Sequence, residues 1–457
     1  MKQGGILAWS IKAMRKLRPT SMILLGFLAV ILLGALLLTL PISSRDPGAT
    51  ALFTALFTAV SAVSVTGLTL VDTYTHWTPF GQAVILLLIQ IGGLGFMSLI
   101  SIFYFLLNKR IGLRERLMMM ESMNLDELEG VVALVRRVLI GTLLFEFVGA
   151  VIFSLHFIPE FGLGGGIWRG VFLAVSAFCN AGFHLLGNHD MFSGIATYAA
   201  SPVVLFTMAV LIVVGSTGFY VWEDILKRRH FRKLHLHSKL VLIITGLLIV
   251  LGALMYFWLE GQNPSSIGNM SVGQQIGISL FQSISTRTGG FDLIGQLTLA
   301  DDTRLLSIPL MFIGGSSGSA AGGVKTVTMG ILVLSAISVL RGRRELIIFE
   351  KRVDQTQIIQ AATLVSIGLL LSLIGGVFLF RTDGVVLVDA LFETVSAYST
   401  AGLTLGVLER VGHLEKVLLM CYMFFGKIGV ITLSVAFMMK GHRPAAITYP
   451  AEHVIIG

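Results

Sequence analysis

The feature that most constrains this chain is a series of long apolar runs, each able to cross the hydrocarbon core of a bilayer. Apolar residues make up 55% of the 457 residues and charged residues only 13%, whereas a soluble domain carries about 25% charged residues. The runs predict eight spanning helices near residues 20–40, 79–107, 138–158, 202–222, 239–259, 305–340, 358–380 and 415–439. This pattern excludes a soluble fold, a disordered chain and a nucleic-acid-binding protein.

Lys and Arg residues concentrate in segments that alternate with pairs of spanning helices. Most of the 33 Lys and Arg residues lie before residue 20, within 108–137, 223–239 and 341–352, and after residue 439. Short loops rich in Lys and Arg face the cytoplasm. The sequence therefore predicts a multi-pass protein of the cell membrane, surrounded by lipid, with both termini in the cytoplasm.

A further apolar stretch, too short to cross the membrane, lies within each consecutive pair of spanning helices. These stretches are Ala51–Ser64, Trp168–Cys179, Val272–Ser285 and Val386–Tyr398. Each predicts a re-entrant half-helix, because irregular backbone at membrane depth must be shielded by protein or line a water-filled path. The predicted fold class is an all-α polytopic membrane protein in which four helix–pore-helix–helix repeats surround one central pore.

Each short stretch ends in a turn that contains glycine. The turns are Val65-Thr66-Gly67, Asn180-Ala181-Gly182, Thr288-Gly289-Gly290 and Thr400-Ala401-Gly402, and each following helix carries a Gly-x-x-Gly pair. The last glycines of the turns recur at intervals of 108 to 115 residues, and such a regular period indicates internal repeats.

The physical reason for four such turns is a cation pathway. The C-terminal end of a half-helix carries a partial negative charge that favours a cation. A glycine in the turn permits backbone angles at which successive carbonyl oxygens face the axis and replace the hydration shell of an ion. The alternative is that each glycine only terminates a buried helix, and the regular spacing favours the pore.

The repeats also predict the organisation of the whole chain. It would consist of a cytoplasmic N-terminal arm (1–19), a first pore repeat (20–107), a second pore repeat preceded by a cytoplasmic loop (108–222), a third (223–340), a fourth (341–439), and a cytoplasmic C-terminal tail (440–457).

The sixth apolar run is interrupted by ten consecutive Gly, Ser and Ala residues at 314–323, here named the glycine–serine loop. Each interior glycine costs a helix about 1 kcal/mol relative to alanine, so we expect an unwound segment that opens and closes below the filter. The alternative is a small-residue face for helix packing. The predicted gate residues are Gly314, Gly315, Ser316, Ser317, Gly318, Ser319, Gly322, Gly323 and, from the eighth helix, Lys427.

Charged residues at membrane depth are candidates for function. Lys427 is expected to face the conduction path as a repulsive charge, Arg287 and Glu393 to brace the filter turns through hydrogen bonds, and Glu146 to have a structural partner. His184 follows Gly182 and is a candidate for the outer vestibule, but a lone histidine at such a position is more often incidental. No His, Cys, Asp and Glu residues stand at metal-ligand spacing, so neither a cofactor in this chain nor a catalytic activity is predicted. A polytopic membrane enzyme stays as the distant alternative.

The turn sequences, together with Phe392-Glu393-Thr394-Val395-Ser396-Ala397 and Gln90-Ile91-Gly92-Gly93-Leu94-Gly95-Phe96, resemble KtrB-type membrane subunits of Ktr potassium transporters, in the Trk/Ktr/HKT superfamily. The resemblance covers nearly the whole chain. Two residues depart from the family pattern, Gly289 where alanine is more common and Lys427 where many relatives have arginine.

The resemblance implies a pore-forming subunit of a gated potassium-uptake system, with passive flux. K⁺ would be coordinated by the backbone carbonyls of a filter centred on one glycine per repeat. It also implies a homodimer and a KtrA-type cytoplasmic regulatory ring, on which a separate subunit binds nucleotide. A sodium-coupled potassium symporter on the same scaffold remains open at this point.

Overall fold

A computed structural model describes residues 19–46, 48–95, 111–122, 130–187, 195–343 and 345–429. Most of these residues are helical, and the strands among them form one short antiparallel pair, Ile347–Ile348 with Lys351–Arg352. Within the same ranges, four helices are long and apolar enough to cross a membrane, or five if one bent pair is counted as a span. The predicted all-α polytopic membrane architecture is thus confirmed.

Several predicted segments lie outside the described residues. These are nearly all of the N-terminal arm, the second run beyond residue 95, the eighth run beyond residue 429, and the C-terminal tail.

The first repeat consists of a spanning helix, a pore helix and a second helix. They are Pro19–Thr39, Leu52–Ser64 and Pro79–Leu94, with a 3-10 turn at Pro41–Ser43 and a short helix at Thr73–His76. The second helix begins where the Thr78 side chain accepts a hydrogen bond from the Gly81 amide, with Pro79 at the first helical position. The pore helix is buried from Thr58 to its end.

The second repeat follows a short helix, Leu113–Ser122. Its predicted spanning helix and pore helix lie within Val131–Phe178 as two helices that are separated by a non-helical break at Gly162, where φ is 73°. The break folds the pore helix back, so that Gly170 packs closely against the Ser154 backbone. A 3-10 turn at Ala196–Tyr198 precedes the second helix, Pro202–Thr217.

The third repeat begins with Leu236–Glu260, followed by the pore helix Val272–Thr286. A capping box at Ser271 and Gln274 fixes the start of that pore helix. The third repeat ends with two helices, Asp301–Phe312 and Thr326–Leu340. The fourth repeat consists of Gln355–Phe380, Leu387–Ser399, Val407–Arg410 and His413–Ile428. Short 3-10 turns lie at Phe231–Lys233 and Gln296–Thr298.

The repeats are arranged in a closed ring around the pore helices. Each pore helix packs against the first helix of its own repeat and also contacts the second helix of the preceding repeat, and the second helix of the fourth repeat contacts the first pore helix. Each pore helix has a fully buried phenylalanine nine or ten residues before the last glycine of its turn: Phe57, Phe172, Phe281 and Phe392. This packing brings the C-terminal ends of the four pore helices together.

Candidate functional site: four converging turns and a loop beneath them

The four turns after the pore helices share one backbone conformation. The residue two positions before the last glycine is left-handed in every repeat, with φ between 55° and 75°: Val65, Asn180, Thr288 and Thr400. Positive φ is uncommon for residues other than glycine, and for the β-branched Val65, Thr288 and Thr400 it is a genuine outlier. The glycines Gly67, Gly182, Gly290 and Gly402 have φ between 72° and 95°. Strained backbone of this kind clusters at functional sites.

The glycines meet in a closed ring, here named the filter ring. A Cβ on Gly67 would lie 2.6 Å from the Ala181 carbonyl oxygen, and one on Gly182 would lie 2.8 Å from the Gly290 carbonyl oxygen. Gly290 in turn approaches the Ala401 carbonyl oxygen, and a Cβ on Gly402 would overlap the Thr66 carbonyl oxygen. Each turn therefore places a carbonyl oxygen against the glycine of a neighbouring turn.

A cavity opens on one side of the filter ring and is lined by all four glycines. Asp72, Asp292 and His184 contribute to its wall, as do Thr69, Thr73 and Thr404. His184, the sequence candidate for a vestibule, thus lines this cavity. The Asp292 carboxylate accepts hydrogen bonds from the backbone amides of Ile294, Gly295 and Gln296. Two acidic side chains thus stand at the mouth, where they attract cations.

The third turn is one residue shorter than the others. In repeats one, two and four the residue before the last glycine donates its amide to a serine carbonyl five positions earlier, as from Thr66 to Ser61. In the third repeat Gly289 donates to Ser285, four positions earlier. A Cβ on Gly289 would lie 2.7 Å from the Ser285 Cα, so the shorter turn requires glycine at this position.

The sixth predicted span is interrupted where the sequence suggested. Helix Asp301–Phe312 ends and Thr326–Leu340 begins, and the residues between them, 313–325, are non-helical. The glycine–serine loop bonds through its backbone to the second repeat, from Ser316 N to Ser216 O (2.9 Å) and from Ala320 N to Gly215 O (3.2 Å). A Cβ on Gly322 would overlap the Thr400 hydroxyl. The loop therefore lies directly against the filter ring.

Two lysines hold adjacent carbonyls of this loop. Lys427 Nζ donates to Ala320 O at 2.5 Å, and Lys325 Nζ donates to Ala321 O at 2.6 Å. Lys427 was expected to face the conduction path as a repulsive charge, and its ammonium group is bonded to the loop. Arg287, expected to brace a filter turn, donates instead to Gly314 O and to the Thr326 hydroxyl.

The two membrane-embedded carboxylates have partners close to the turns. Glu393 accepts hydrogen bonds from the Thr404 hydroxyl and the Leu405 amide, so it braces the segment after the fourth turn, as predicted. Glu146 accepts a bond from Gln90 Nε2 at 3.2 Å and lies 3.8 Å from the Cys179 sulfur. Glu146 was expected to have a structural partner, and the structure gives it Gln90, with the Cys179 thiol of the second turn close by.

The sequence reasoning missed a second broken helix. The fourth predicted span, 202–222, bends by 93° between Pro202–Thr217 and Phe219–Arg228, because Gly218 takes φ 98°. The other second glycines of the Gly-x-x-Gly pairs, Gly95, Gly318 and Gly429, also have positive φ. The Gly-x-x-Gly motif could have predicted this break, because its second glycine has positive φ in all four repeats.

Comparison with known proteins shows that this chain is similar to cation transport proteins. The sequence model of the TrkH family, described as cation transport protein, matches residues 17–445. The chain is 36% identical over 448 residues to the potassium/sodium uptake protein NtpJ of Enterococcus hirae, covering 97% of this chain and 98% of that protein. It is also 36% identical over 439 residues to the Ktr system potassium uptake protein B of Bacillus subtilis, covering 96% and 97%.

The fold is similar to that of a solved transporter. The crystal structure of the potassium transporter TrkH from Vibrio parahaemolyticus superposes with a TM-score of 0.68 at 18% identity, over 90% of this chain and 84% of that one.

Proposed function

Because this chain belongs to the TrkH family of cation transport proteins, we propose that it is the pore-forming subunit of a gated potassium-uptake system. The observation that carries the proposal is the filter ring, in which four glycines of positive φ meet through neighbouring carbonyl oxygens. Backbone carbonyls can replace the hydration shell of K⁺. Flux would be passive and driven by the membrane potential, which supplies about 2.3 kcal/mol per charge per 100 mV.

The filter residues keep the assignments made from the sequence. K⁺ would be coordinated by carbonyls of the four turns, at Val65 to Gly67, Asn180 to Gly182, Thr288 to Gly290 and Thr400 to Gly402. These assignments are supported by the backbone of the turns, because each turn has a left-handed residue two positions before a glycine of positive φ. The four pore repeats, 20–107, 108–222, 223–340 and 341–439, are proposed as the structural units that supply one turn each.

The glycine–serine loop is proposed as the gate. It lies against the filter ring, yet it is held mainly by hydrogen bonds to backbone carbonyls and amides. Such bonds contribute about 0.5–1.5 kcal/mol each, or about 1.5–3 kcal/mol where one partner is charged. Exchanging a few of them lets the segment move without disrupting the packed helices.

The subunit is further proposed to act as a homodimer with a cytoplasmic nucleotide-binding ring. Two supports are the name of the Bacillus relative, which places that protein in a Ktr system, and the basic cytoplasmic loops. Arg229 and Arg343 are exposed and suit a docking role. Arg228 is less available for docking, because it pairs with Asp224 at 2.9 Å and bonds to Lys233 O, so it holds its own turn.

A second candidate function is sodium-coupled potassium uptake on the same scaffold. The observation that favours it is the name of the Enterococcus relative, a potassium/sodium uptake protein. In a coupled transporter, movement of one ion is tied to that of the other, whereas a passive pore conducts either permeant ion alone.

Reversal potentials of the purified chain in liposomes test these proposals. Opposed K⁺ and Na⁺ gradients should give a potential close to that of K⁺ alone if the pore is passive and selective. A potential that follows the product of both gradients supports coupling. The absence of any K⁺-dependent current or flux would overturn the proposed function.

A further inference from the structure

The third repeat lacks a contact that the other three repeats share. In repeats one, two and four, the first glycine of the Gly-x-x-Gly pair packs onto the last turn of the pore helix of its own repeat. Gly92 meets Val63 O, Gly215 meets Phe178 O, and Gly426 meets Tyr398 O, so closely that a Cβ would overlap each oxygen. The corresponding Gly315 instead faces Ala321 and Ser216.

Arg287 occupies the place of the missing contact. Its turn is one residue shorter, so this single arginine stands where the other repeats have the pairs Val63-Ser64, Phe178-Cys179 and Tyr398-Ser399. Arg287 is 5% exposed. Its Nη2 donates to Gly314 O and to the Thr326 hydroxyl, both at 3.2 Å.

The two partners of Arg287 lie at the start of the glycine–serine loop (Gly314) and at the start of the helix that follows it (Thr326). Gly314 N donates to Val324 O, Thr326 N donates to Gly315 O, and the Thr326 hydroxyl donates to Gly314 O at 2.8 Å. Gly314 also lies beside the third turn, since a Cβ there would be 3.3 Å from Thr288 Cγ2. Arg287 therefore joins a filter turn to the closed neck of the loop.

No carboxylate pairs with Arg287 in the part of the chain that the structure describes, and its Nε has no hydrogen-bond partner there. A buried charge depends strongly on the few bonds it makes. Loss of the loop contacts would leave the guanidinium unsatisfied beside Thr288, so the arginine and its turn must respond when the loop moves.

We propose that Arg287 is a positioning residue that couples the glycine–serine loop to the third filter turn, so that displacement of the loop changes K⁺ affinity and selectivity at the filter ring. The inference rests on the proposed function of filter and gate. Coupling between two sites is reciprocal, so occupancy of the filter by K⁺ also biases the loop towards the position in which Arg287 is bonded.

The test uses purified full-length chain in liposomes, with the apparent KM for K⁺ and the K⁺/Na⁺ permeability ratio as readouts. Thr326→Val keeps the shape but removes one partner of Arg287 together with the hydroxyl bond to Gly314 O. Arg287→Lys keeps the charge but loses the planar fork, and Arg287→Gln removes the charge. Thr303→Val is the matched control, because the buried Thr303 hydroxyl has no partner among the described residues. Each variant is also combined with deletion of residues 316–321.

We expect KM to rise about threefold in Thr326→Val and about tenfold in Arg287→Gln, with Arg287→Lys between them and a parallel fall in the permeability ratio. Thr303→Val should match the unaltered chain. In the shortened loop these effects should shrink, because residues that act through one element are not additive.

Three results decide the inference. Unchanged KM and permeability ratio in folded Thr326→Val and Arg287→Lys would overturn the coupling and leave the proposed function intact. Effects of equal size with and without residues 316–321 would also overturn it, because the arginine would then act on the filter alone. Failure of the unaltered chain to carry K⁺ would overturn the proposed function itself.

Discussion

The filter ring and the glycine–serine loop are both irregular, glycine-rich backbone inside the protein, but they are built differently. The ring takes one turn from each repeat, and its glycines contact each other directly. The loop comes from the third repeat alone and is bonded to backbone of the second and fourth repeats and to Arg287. One structure is repeated fourfold and the other occurs once.

This difference suggests that the two regions have different roles in ion transport. A ring in which each turn abuts the next has no part that moves without disturbing its neighbours, which suits a site that must keep fixed spacing between oxygens. A single segment held by separable hydrogen bonds has two or more arrangements within reach, which suits a gate. Substitutions in the filter ring should therefore mainly change ion selectivity, whereas changes in the glycine–serine loop should mainly change flux.

The largest effect is expected from Gly402→Ser in the filter ring. Its Cβ would overlap the Thr66 carbonyl oxygen, and φ is 77°, which a side chain resists. We expect the K⁺/Na⁺ permeability ratio to fall at least tenfold, equivalent to about 1.4 kcal/mol, in liposome reversal-potential measurements.

Gly277→Ser is the matched control for the filter substitution. It lies in the third pore helix, where a Cβ would meet nothing within 4 Å, so selectivity should be retained. If Gly402→Ser and the equivalent change at Gly67 both kept normal selectivity, the filter ring would not be the selective element.

The second largest effect is expected from deletion of residues 316–321. Removal of the obstruction below the filter ring should raise K⁺ flux several-fold and leave the permeability ratio closer to normal than Gly402→Ser does. Tracer uptake into liposomes measures this. Lower or unchanged flux in the folded variant would instead favour the alternative that these small residues form only a packing face.

A smaller gain of flux is expected from Lys427→Gln. The substitution removes the charged donor of the hydrogen bond to Ala320 O. A hydrogen bond with a charged partner contributes about 1.5–3 kcal/mol. Because Lys325 still holds the adjacent Ala321 O, the loop stays partly restrained, and we expect flux to rise two- to fivefold. Lys325→Gln should act in the same direction, and the double variant should approach the deletion. A fall in flux would mean that Lys427 supports an open arrangement.

The regular part of the molecule could be predicted from the sequence, and the irregular part only in outline. Hydropathy and the recurring glycine turns were sufficient for the pore helices, because burial and chain reversal repeat with the same residue types at the same spacing. The bend at Gly218 was missed, since a glycine near the end of an apolar run fits a straight helix equally well by hydropathy.

The contacts of the buried charges could not be predicted from the sequence. Lys427 and Arg287 reach partners 107 and 27 residues away in sequence, and the choice between a free charge and a bonded one depends on the packing between repeats. The shortened third turn was visible only once the serine carbonyl bonds were known, because the glycine motifs by themselves align without a gap.

The smallest effect concerns pH at the outer mouth. Burial lowers the pKa of His184 below its ordinary value, and nearby Asp72 partly opposes this, so the imidazole is neutral at pH 7. Protonation sets in only as the outside pH falls below about 6.5, and it adds a positive charge beside Gly182. The folded state binds this proton less readily than the unfolded chain, so the contribution of His184 to stability is lost as pH falls through the same range.

We therefore expect K⁺ uptake to be constant between pH 8 and 7 and to decline two- to threefold towards pH 5, as measured by tracer uptake at fixed inside pH. His184→Gln should flatten most of this decline. Asp292 lines the same cavity, and burial raises its pKa, so its protonation also weakens cation attraction at low pH. A decline of equal size in His184→Gln would assign the effect to Asp292, whose carboxylate then dominates the mouth of the filter ring.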